Sequence, residues 1–495
     1  MSITGERRTR RRWLIAPLLS SVWLLTTLVA PTQADMLSSS TLTDPAGLAD
    51  DSLGFAVAVD GERAAIGALA SDNGAIDDGR VLVYRRDGSG DWLIEATLTL
   101  GDTERGDNLG RSVALEGDRL VVGAPGRDRG GAVYLYERGS DGTWGTGLRI
   151  APADDQLRRR FGEAVALDGD RLLIGAPGDT DAVAEGGAVY LFERSAGGSW
   201  VETAKLRAVD QVRSGRFGDS VALSEDRLVV GAKAVAYAFE RVEGAGWGQG
   251  VALLPPTAST FDAFSWKVAL QGDIVLLGVV GDGRVERGSA HAFERIDRDA
   301  WVEVRTFAPF DTSEGDRFGS DVAIAGDRAL VGALGETGAV QLSGTVYLFE
   351  RTDDGGWDTG RRLIAADAAV GDLFGRAVAL SERRALVGAP WVDDAQGRRD
   401  TGAAYVFELE GLDAPVLVSP VAGTVLGGTS ETFSWSGPDD DSLDWWLYVG
   451  NATGNAAHFD SGLLDRSARS VQVDTLPGDG RDVIATLYYR APGQG

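Results

Sequence analysis

The sequence predicts an all-β protein: a seven-bladed β-propeller with four-stranded blades, followed by a small C-terminal β-sandwich. One unit recurs seven times, its internal spacings are constant, and each unit holds four short runs of strand-forming residues. Four antiparallel strands in a repeat of roughly 50 residues are typical of a propeller blade. We expect a signal peptide over residues 1–34, the propeller over residues 35–410 and the sandwich over residues 411–495.

The composition limits the classes of function. Of 495 residues, 43% are hydrophobic and 25% are charged, which is enough to bury a large core. The formal net charge is −26, and such a surface repels nucleic acid and anionic membranes. The chain has no cysteine, which excludes disulfides, thiol catalysis and Cys-ligated zinc, and its two histidines leave little room for imidazole chemistry.

The N-terminus has the three parts of a signal peptide. Basic residues come first, then an apolar run over residues 13–30, then Thr32-Gln33-Ala34 as a small-residue cleavage site. The basic residues are Arg7, Arg8, Arg10, Arg11 and Arg12. They loosely resemble a twin-arginine signal, although the general secretory route fits equally well; an uncleaved anchor is the alternative because the run is barely long enough to span a bilayer. We expect export to a secreted, periplasmic or cell-surface location, with no membrane span after cleavage.

Each repeat opens with an apolar residue and a glycine, followed by a Val-Ala strand, a tight turn and a second apolar run. The seven opening pairs, called anchors below, are Leu53-Gly54, Leu109-Gly110, Phe161-Gly162, Phe217-Gly218, Phe264-Ser265, Phe318-Gly319 and Phe374-Gly375. In every repeat, the glycine that closes the second run lies 13 positions after the second anchor residue. The constant spacing predicts one β-hairpin built seven times.

A third, alternating strand and a fourth strand opened by tryptophan complete each repeat. The tryptophans are Trp92, Trp144, Trp200, Trp247, Trp301 and Trp357, and the next anchor glycine or serine always follows 18 residues later. The last repeat lacks this strand, but residues 35–43 align with residues 91–99 of the first repeat. We therefore expect the N-terminal segment to be the outer strand of blade seven, beside Ala403–Glu408, which would close the ring and remove an exposed edge.

The anchors, together with the ends of the second strands, resemble FG-GAP repeats, the unit of the integrin α-chain propeller and of many bacterial surface proteins. These ends are Gly123-Ala124-Pro125, Gly175-Ala176-Pro177 and Gly388-Ala389-Pro390. The resemblance covers residues 35–410 and implies extracellular recognition or adhesion. Calcium-binding members carry a D-x-D-x-D-G loop before this strand, whereas here the site is a tight turn such as Glu116-Gly117-Asp118, with too few carboxylates to wrap an ion. We expect no cofactor, with calcium as the open possibility.

The loops between the second and third strands vary in length, and variable loops on a rigid scaffold commonly carry binding residues. Our candidate ligand-binding residues on these loops are Asp72, Asp77, Asp78, Arg127, Asp128, Asp179, Asp181, Glu185, Arg284, Glu286, Asp393, Asp394, Arg398 and Arg399. Among them, Asp179, Asp181 and Glu185 form the candidate cation site. We expect His291 and the six tryptophans to be packing residues, because they occupy equivalent strand positions in the repeat.

These features favour an exported, non-enzymatic binding or adhesion protein with a protein or glycan ligand. A structural spacer of a cell-surface assembly is one alternative, with the C-terminal region, similar to fibronectin type III or immunoglobulin-like modules, as its adaptor. A polysaccharide-active enzyme is the other. It would need carboxylates or histidine at the ring axis, where the small apolar Val-Ala-Leu strands provide none.

Overall fold

The computed structural model describes residues 39–490 with several gaps. The gaps are 73–74, 155–156, 243, 256–266, 281–286, 309–312, 337–341, 353–354, 410–415, 420–429, 437–443, 452–456, 461–463, 465–469 and 475–482. The predicted signal peptide over residues 1–34 lies outside the described residues, and so do the candidate site residues Arg284 and Glu286. One compact unit spans Pro31–Glu408, and the C-terminal region is described by itself.

Seven antiparallel sheets, each with four strand positions, form the propeller. Blades one to three comprise β2 (Leu53–Asp60), β3 (Arg63–Ala68), β4 (Arg80–Arg86) and β5 (Trp92–Leu98); β6 (Ser112–Glu116), β7 (Arg119–Ala124), β8 (Ala132–Glu137) and β9 (Leu148–Ile150); and β10 (Val165–Asp168), β11 (Arg171–Ala176), β12 (Ala188–Arg194) and β13 (Trp200–Leu206). Blade four comprises β14 (Ser220–Ser224), β15 (Arg227–Ala232), β16 (Val235–Val242) and the outer pieces β17 (Gly246–Trp247) and β18 (Val251–Leu253).

The remaining blades follow the same order, and the first strand of the chain belongs to the last of them. Blades five to seven comprise β19 (Lys267–Gln271), β20 (Ile274–Val279), β21 (Ser289–Asp297) and β22 (Ala300–Phe307); β23 (Phe318–Ala325), β24 (Arg328–Ala333), β25 (Thr345–Glu350) and β26 (Arg361–Leu363); and β27 (Ala377–Leu380), β28 (Arg384–Ala389), β29 (Ala403–Glu408) and β1 (Ser39–Leu42). A 3-10 turn at Arg127–Arg129 lies in the loop between β7 and β8.

The ring is closed by the N-terminal strand, as predicted. Strand β1 pairs antiparallel with β29, with Ser39 opposite Phe407 and Leu42 opposite Ala404. The first strands of neighbouring blades contact one another all the way round, including the contact between β27 and β2. These seven strands therefore form the innermost layer of a closed seven-bladed propeller.

At the junctions between blades, the glycine that closes the second strand of one blade meets the anchor glycine of the next blade. A Cβ atom on Gly123 would lie 2.0 Å from the carbonyl oxygen of Gly162 in the next blade, so the two backbones touch with no room for a side chain. Gly162 also has a φ of +91°, a conformation that side chains disfavour. Equivalent contacts join Gly67 to Gly110, Gly175 to Gly218, Gly278 to Gly319, Gly332 to Gly375 and Gly388 to Gly54. The anchor glycine thus serves close packing of one blade on another.

The core consists of apolar layers between adjacent blades. Between blades two and three, for example, Phe161 meets Tyr190 and Phe192 edge-on, at ring-centroid distances of 5.3 and 6.2 Å. The six repeated tryptophans pack against such layers, which confirms their packing role.

The outer strand is less regular than predicted in blades two, four and six, where a glycine separates the tryptophan from the rest of the strand. At Gly147, Gly250 and Gly360, an aromatic ring of the third strand fills the space that a Cβ would need.

The C-terminal region contains two three-stranded antiparallel sheets. One consists of β30 (Val416–Ser419), β31 (Glu431–Ser436) and β34 (Ser470–Val473), and the other of β33 (Ala457–Asp460), β32 (Asp444–Asn451) and β35 (Val483–Arg490). The strands expected in this region are therefore present. That the two sheets pack as a fibronectin type III or immunoglobulin-like sandwich stays a prediction.

Candidate functional site

The propeller has two faces with different connections. The turns between strands one and two, and between strands three and four, lie on one face, called the turn face. The longer connections between strands two and three, and from strand four to the next blade, lie on the other face, called the loop face. Because strand one of each blade starts at the loop face, the residues just after each anchor lie there too.

The turn face is occupied by contacts that join neighbouring blades. The arginine that opens the second strand reaches the turn of the following blade: Arg119 bonds to the Gly169 carbonyl at 2.8 Å, and Arg384 closes the ring by bonding to the Gly61 carbonyl at 2.6 Å. The same role falls to Arg63, Arg171, Arg227 and Arg328. Six of the seven junctions have this arginine, and Ile274 replaces it between blades five and six. The arginine contacts of the turn face therefore hold neighbouring blades together.

Three candidate residues on the loop face are buried, which corrects the expectation that the whole set forms an exposed surface. Asp78 and Asp179 are 0% and 2% exposed, and Arg127 is 7% exposed. Asp78 accepts a hydrogen bond from the backbone of Ala75 at 3.1 Å. Arg127 bonds to Asp107 at 2.7 Å and so ties its loop to the preceding inter-blade loop. Charged loop residues are buried here because neighbouring loops supply their partners.

The candidate cation site is partly assembled, with a different third carboxylate. Oxygens of Asp154, Asp179 and Asp181 lie within 4.8 Å of one another. The ammonium of Lys205 sits among them, 2.7 Å from Asp154 and Asp179 and 2.5 Å from Asp181. Lys205 therefore supplies the positive charge that these carboxylates need. Glu185 is not among them, since it accepts a hydrogen bond from the Ser214 hydroxyl at 3.0 Å.

The remaining candidates make local contacts at the loop surface. Asp128 pairs with Arg149. Asp394 pairs with Arg398 within its own loop. The carboxylates of Asp72 and Asp393 accept backbone hydrogen bonds from Asp77 at 2.8 Å and Asp400 at 3.1 Å, and Arg399 is exposed. These residues shape their loops, and the structure does not bring them together into one site.

Exposed apolar side chains are concentrated on the loop face. Of the 16 exposed large hydrophobic residues in the described ranges, nine lie in its connections, six on the outer strands and one at the turn face. The nine are Leu48, Ile76, Leu157, Val209, Val212, Leu254, Leu342, Val370 and Trp391, called the apolar rim below. The loop face is therefore the more apolar of the two faces, and apolar side chains exposed on a loop face can serve as contacts for a partner.

A group of mostly charged side chains, which the sequence reasoning missed, lies at the ring axis on the loop face. One comes from each blade, at the first or second position after the anchor: Phe55, Arg111, Glu163, Asp219, Lys267, Asp321 and Arg376, called the axial cluster below. Arg111 and Arg376 lie 4.7 and 4.2 Å from the Phe55 ring centroid. The charge of Arg111 in blade two also acts on Lys267 in blade five, so the cluster converges across the ring.

The charges in this cluster are unequally satisfied. Glu163 binds Arg111 at 2.6 Å and Arg160 at 2.7 Å, and Asp219 binds Arg216 at 2.7 Å. Burial lowers the pKa of Lys267, and Arg376 and Arg111 lower it further against the attraction of Asp321. Burial also lowers the pKa of Arg376 to about 10, again with a contribution from Arg111. The Arg376 guanidinium therefore stays charged at neutral pH, beside the like charge of Arg111.

The axial cluster corrects the expectation that the first strands place only small apolar residues at the axis. The Val-Ala-Leu residues do lie in these strands, but charged residues precede them next to the anchor. The signal was a charge directly after the anchor glycine in four repeats, at Arg111, Glu163, Asp219 and Arg376. His291, by contrast, is 1% exposed and hydrogen-bonded to Glu303 and Ser289, as expected of a structural residue.

A closed ring of seven four-stranded sheets with an accessible loop face defines a β-propeller of the kind that presents loops to a ligand. The model of the FG-GAP repeat matches residues 92–136, 144–192, 200–238, 301–349 and 357–407. The propeller therefore carries FG-GAP repeats. No curated protein sequence matches the chain. Within the described ranges, none of the helical segments has the length and hydropathy needed to cross a bilayer.

Proposed function

We propose that this chain is an exported, non-enzymatic binding or adhesion protein that presents the loop face of its propeller to a protein or glycan ligand. The observation that carries the proposal is the apolar rim, which is exposed on this face while arginine contacts occupy the opposite face. FG-GAP propellers fit such a role and are typically non-enzymatic. The rim favours a protein ligand, because apolar and aromatic anchors dominate protein interfaces.

Carboxylates at the axis do not by themselves favour an enzyme. A glycoside hydrolase needs one carboxylic acid that donates a proton and one carboxylate that attacks or activates water. Glu163 and Asp219 are instead held in ion pairs by Arg111, Arg160 and Arg216. We therefore propose no catalytic role for them, and no contact among the described residues favours the alternative role of a spacer in a surface assembly.

The test is an array of matrix proteins and glycans, probed with the purified protein with and without calcium. Replacing Val209, Val212 and Trp391 with serine should abolish capture of the ligand found and leave the thermal transition nearly unchanged. The control replaces Leu93, Val201 and Val302, which are 43–50% exposed against 51–68% for the three rim residues and lie on outer strands; it should retain capture. Capture that survives the rim variant and is lost in the control would place the ligand on the outer edge and contradict the proposal.

A further inference from the structure

The axial cluster contains two cationic groups, Lys267 and Arg376, for which the described residues provide no carboxylate at ion-pair distance. Within the described part of the chain, neither the Lys267 ammonium nor the Arg376 guanidinium makes a side-chain hydrogen bond or an ion pair. Both side chains are partly exposed, whereas Glu163 beside them is 5% exposed, with its Oε1 paired to Arg111 and Arg160 and its Oε2 buried without a hydrogen-bond partner among the described residues. The cations, rather than the anions, are thus presented at the axis.

The arrangement is unfavourable for the stability of the ligand-free protein. Arg111, Lys267 and Arg376 come from three different blades and repel one another, and burial adds to the cost of their charges. The described surroundings hold five cations, because Arg160 and Arg216 join these three, against the three carboxylates of Glu163, Asp219 and Asp321. A local positive excess in a chain with a net charge of −26 is unexpected for packing alone. Clusters of like charge that shift each other's pKa are typical of binding sites.

We propose that the axial cluster binds a carboxylate of the protein ligand, held between Lys267 and Arg376 with Arg111 beside them. A carboxylate would accept charge-assisted hydrogen bonds from both groups and relieve their repulsion. The Phe55 ring, already in contact with the two guanidiniums, fixes one side of the site. This inference rests on the proposed function, because the carboxylate belongs to a partner that covers the loop face.

A protein carboxylate fits the surroundings better than a sulfated or uronic-acid glycan. The apolar rim is exposed on the same face as the axial cluster, so a protein that covers this face would also bury side chains such as Val212, Val370 and Trp391. Protein surfaces combine apolar anchors with a central charged contact, and a charge fixed in this way gives register and specificity. An acidic side chain or a C-terminal carboxylate meets both requirements.

Citrate is a suitable probe for a carboxylate site. It is titrated into the protein by calorimetry at constant ionic strength, and sulfate is titrated in a parallel experiment. We expect citrate to bind the wild-type protein. Lys267→Met or Arg376→Gln should each lower the affinity for citrate about tenfold or more, as expected from loss of a hydrogen bond to a charged group. The control is Lys233→Met, an exposed lysine on the same face, which should bind citrate as the wild type does. Lys267→Met should also melt at a higher temperature without ligand, because it removes the repulsion.

The outcomes separate this inference from the proposed function. Unchanged citrate binding in both axial variants, or no citrate binding by the wild type, would overturn the axial site while leaving the rim experiment to stand. Sulfate bound as tightly as citrate, together with capture of a sulfated glycan on the array, would overturn the protein carboxylate. The inference is supported if the axial variants lose citrate binding while Lys233→Met retains it, and if the same axial variants no longer capture the protein ligand.

Discussion

The turn face and the loop face are built from the same seven repeats, but they use their charges differently. On the turn face, the arginine at six of the seven junctions has a partner in the next blade, as Arg384 has in Glu62 and Arg119 in Asp170. On the loop face, the charges at the axis repel one another, and apolar side chains stay exposed. One face holds the ring together, and the other departs from what stability alone would favour. Such departures are expected where a protein binds.

The largest effect is expected at the closing junction of the turn face. Arg384 is 2% exposed and contacts both Glu408 and Glu62, so Arg384→Met removes the buried cation that the two carboxylates share and leaves them with the longer contacts to Arg86, at 3.3 and 3.7 Å. We expect a loss of about 3 kcal/mol in the free energy of unfolding, measured by denaturant titration. Arg399→Met, an exposed arginine on the loop face, should change it by less than about 0.5 kcal/mol. Similar losses in the two variants would contradict the division between the faces.

A second comparison isolates the close approach of the blades. Gly162→Ala places a Cβ 2.7 Å from the Ala132 carbonyl at a φ of +91°. Gly169, in the turn of the same blade, also has a positive φ of +56°, but a Cβ added there by Gly169→Ala would have no atom within 4 Å. Since a left-handed conformation alone costs roughly 1–2 kcal/mol, Gly162→Ala should cost about 2 kcal/mol more than Gly169→Ala. Equal unfolding free energies would mean that the glycine contact does not determine how the blades pack.

Lys205 should contribute to the stability of the protein, because its ammonium supplies the positive charge among the carboxylates of Asp154, Asp179 and Asp181. Lys205→Met leaves the buried Asp179 beside Asp154, and we expect a loss of about 2 kcal/mol at pH 7. The hydrogen bond from Lys205 lowers the pKa of Asp181, so the stability from that contact is present above the ordinary carboxyl pKa and is lost as the pH falls through the lowered value. The difference between wild type and variant should therefore shrink below about pH 4. A difference that stays constant down to pH 2 would argue against the ion pair as its cause.

The sequence predicts the blades well because the repeat reports local and neighbouring contacts in every copy. The anchor glycine, the closing glycine and the tryptophan each occupy one environment seven or six times, so their pattern survives in the chain. The axial cluster has no such pattern, because each blade contributes a different residue, from Phe55 to Arg376, and only the closed ring brings them together. Burial of Arg127 and Asp179 was missed for a related reason: their partners, Asp107 and Lys205, come from other parts of the chain, at distances that no repeat spacing encodes.

The smallest effect is expected at the one junction that lacks this arginine, between blades five and six. It tests whether the arginine contact is what joins neighbouring blades at the turn face. Between blades five and six, Ile274 stands where other blades have arginine, and Asp327 occupies the turn position of the aspartates that arginine contacts elsewhere, such as Asp170 and Asp273. Ile274→Arg should therefore raise the free energy of unfolding by about 0.5 kcal/mol, the usual size of a partly exposed ion pair. The same substitution in an Asp327→Asn background should gain nothing. A gain that persists without the Asp327 charge would come from the arginine stem packing on the next blade, and the junctions would then depend on apolar contact as much as on charge.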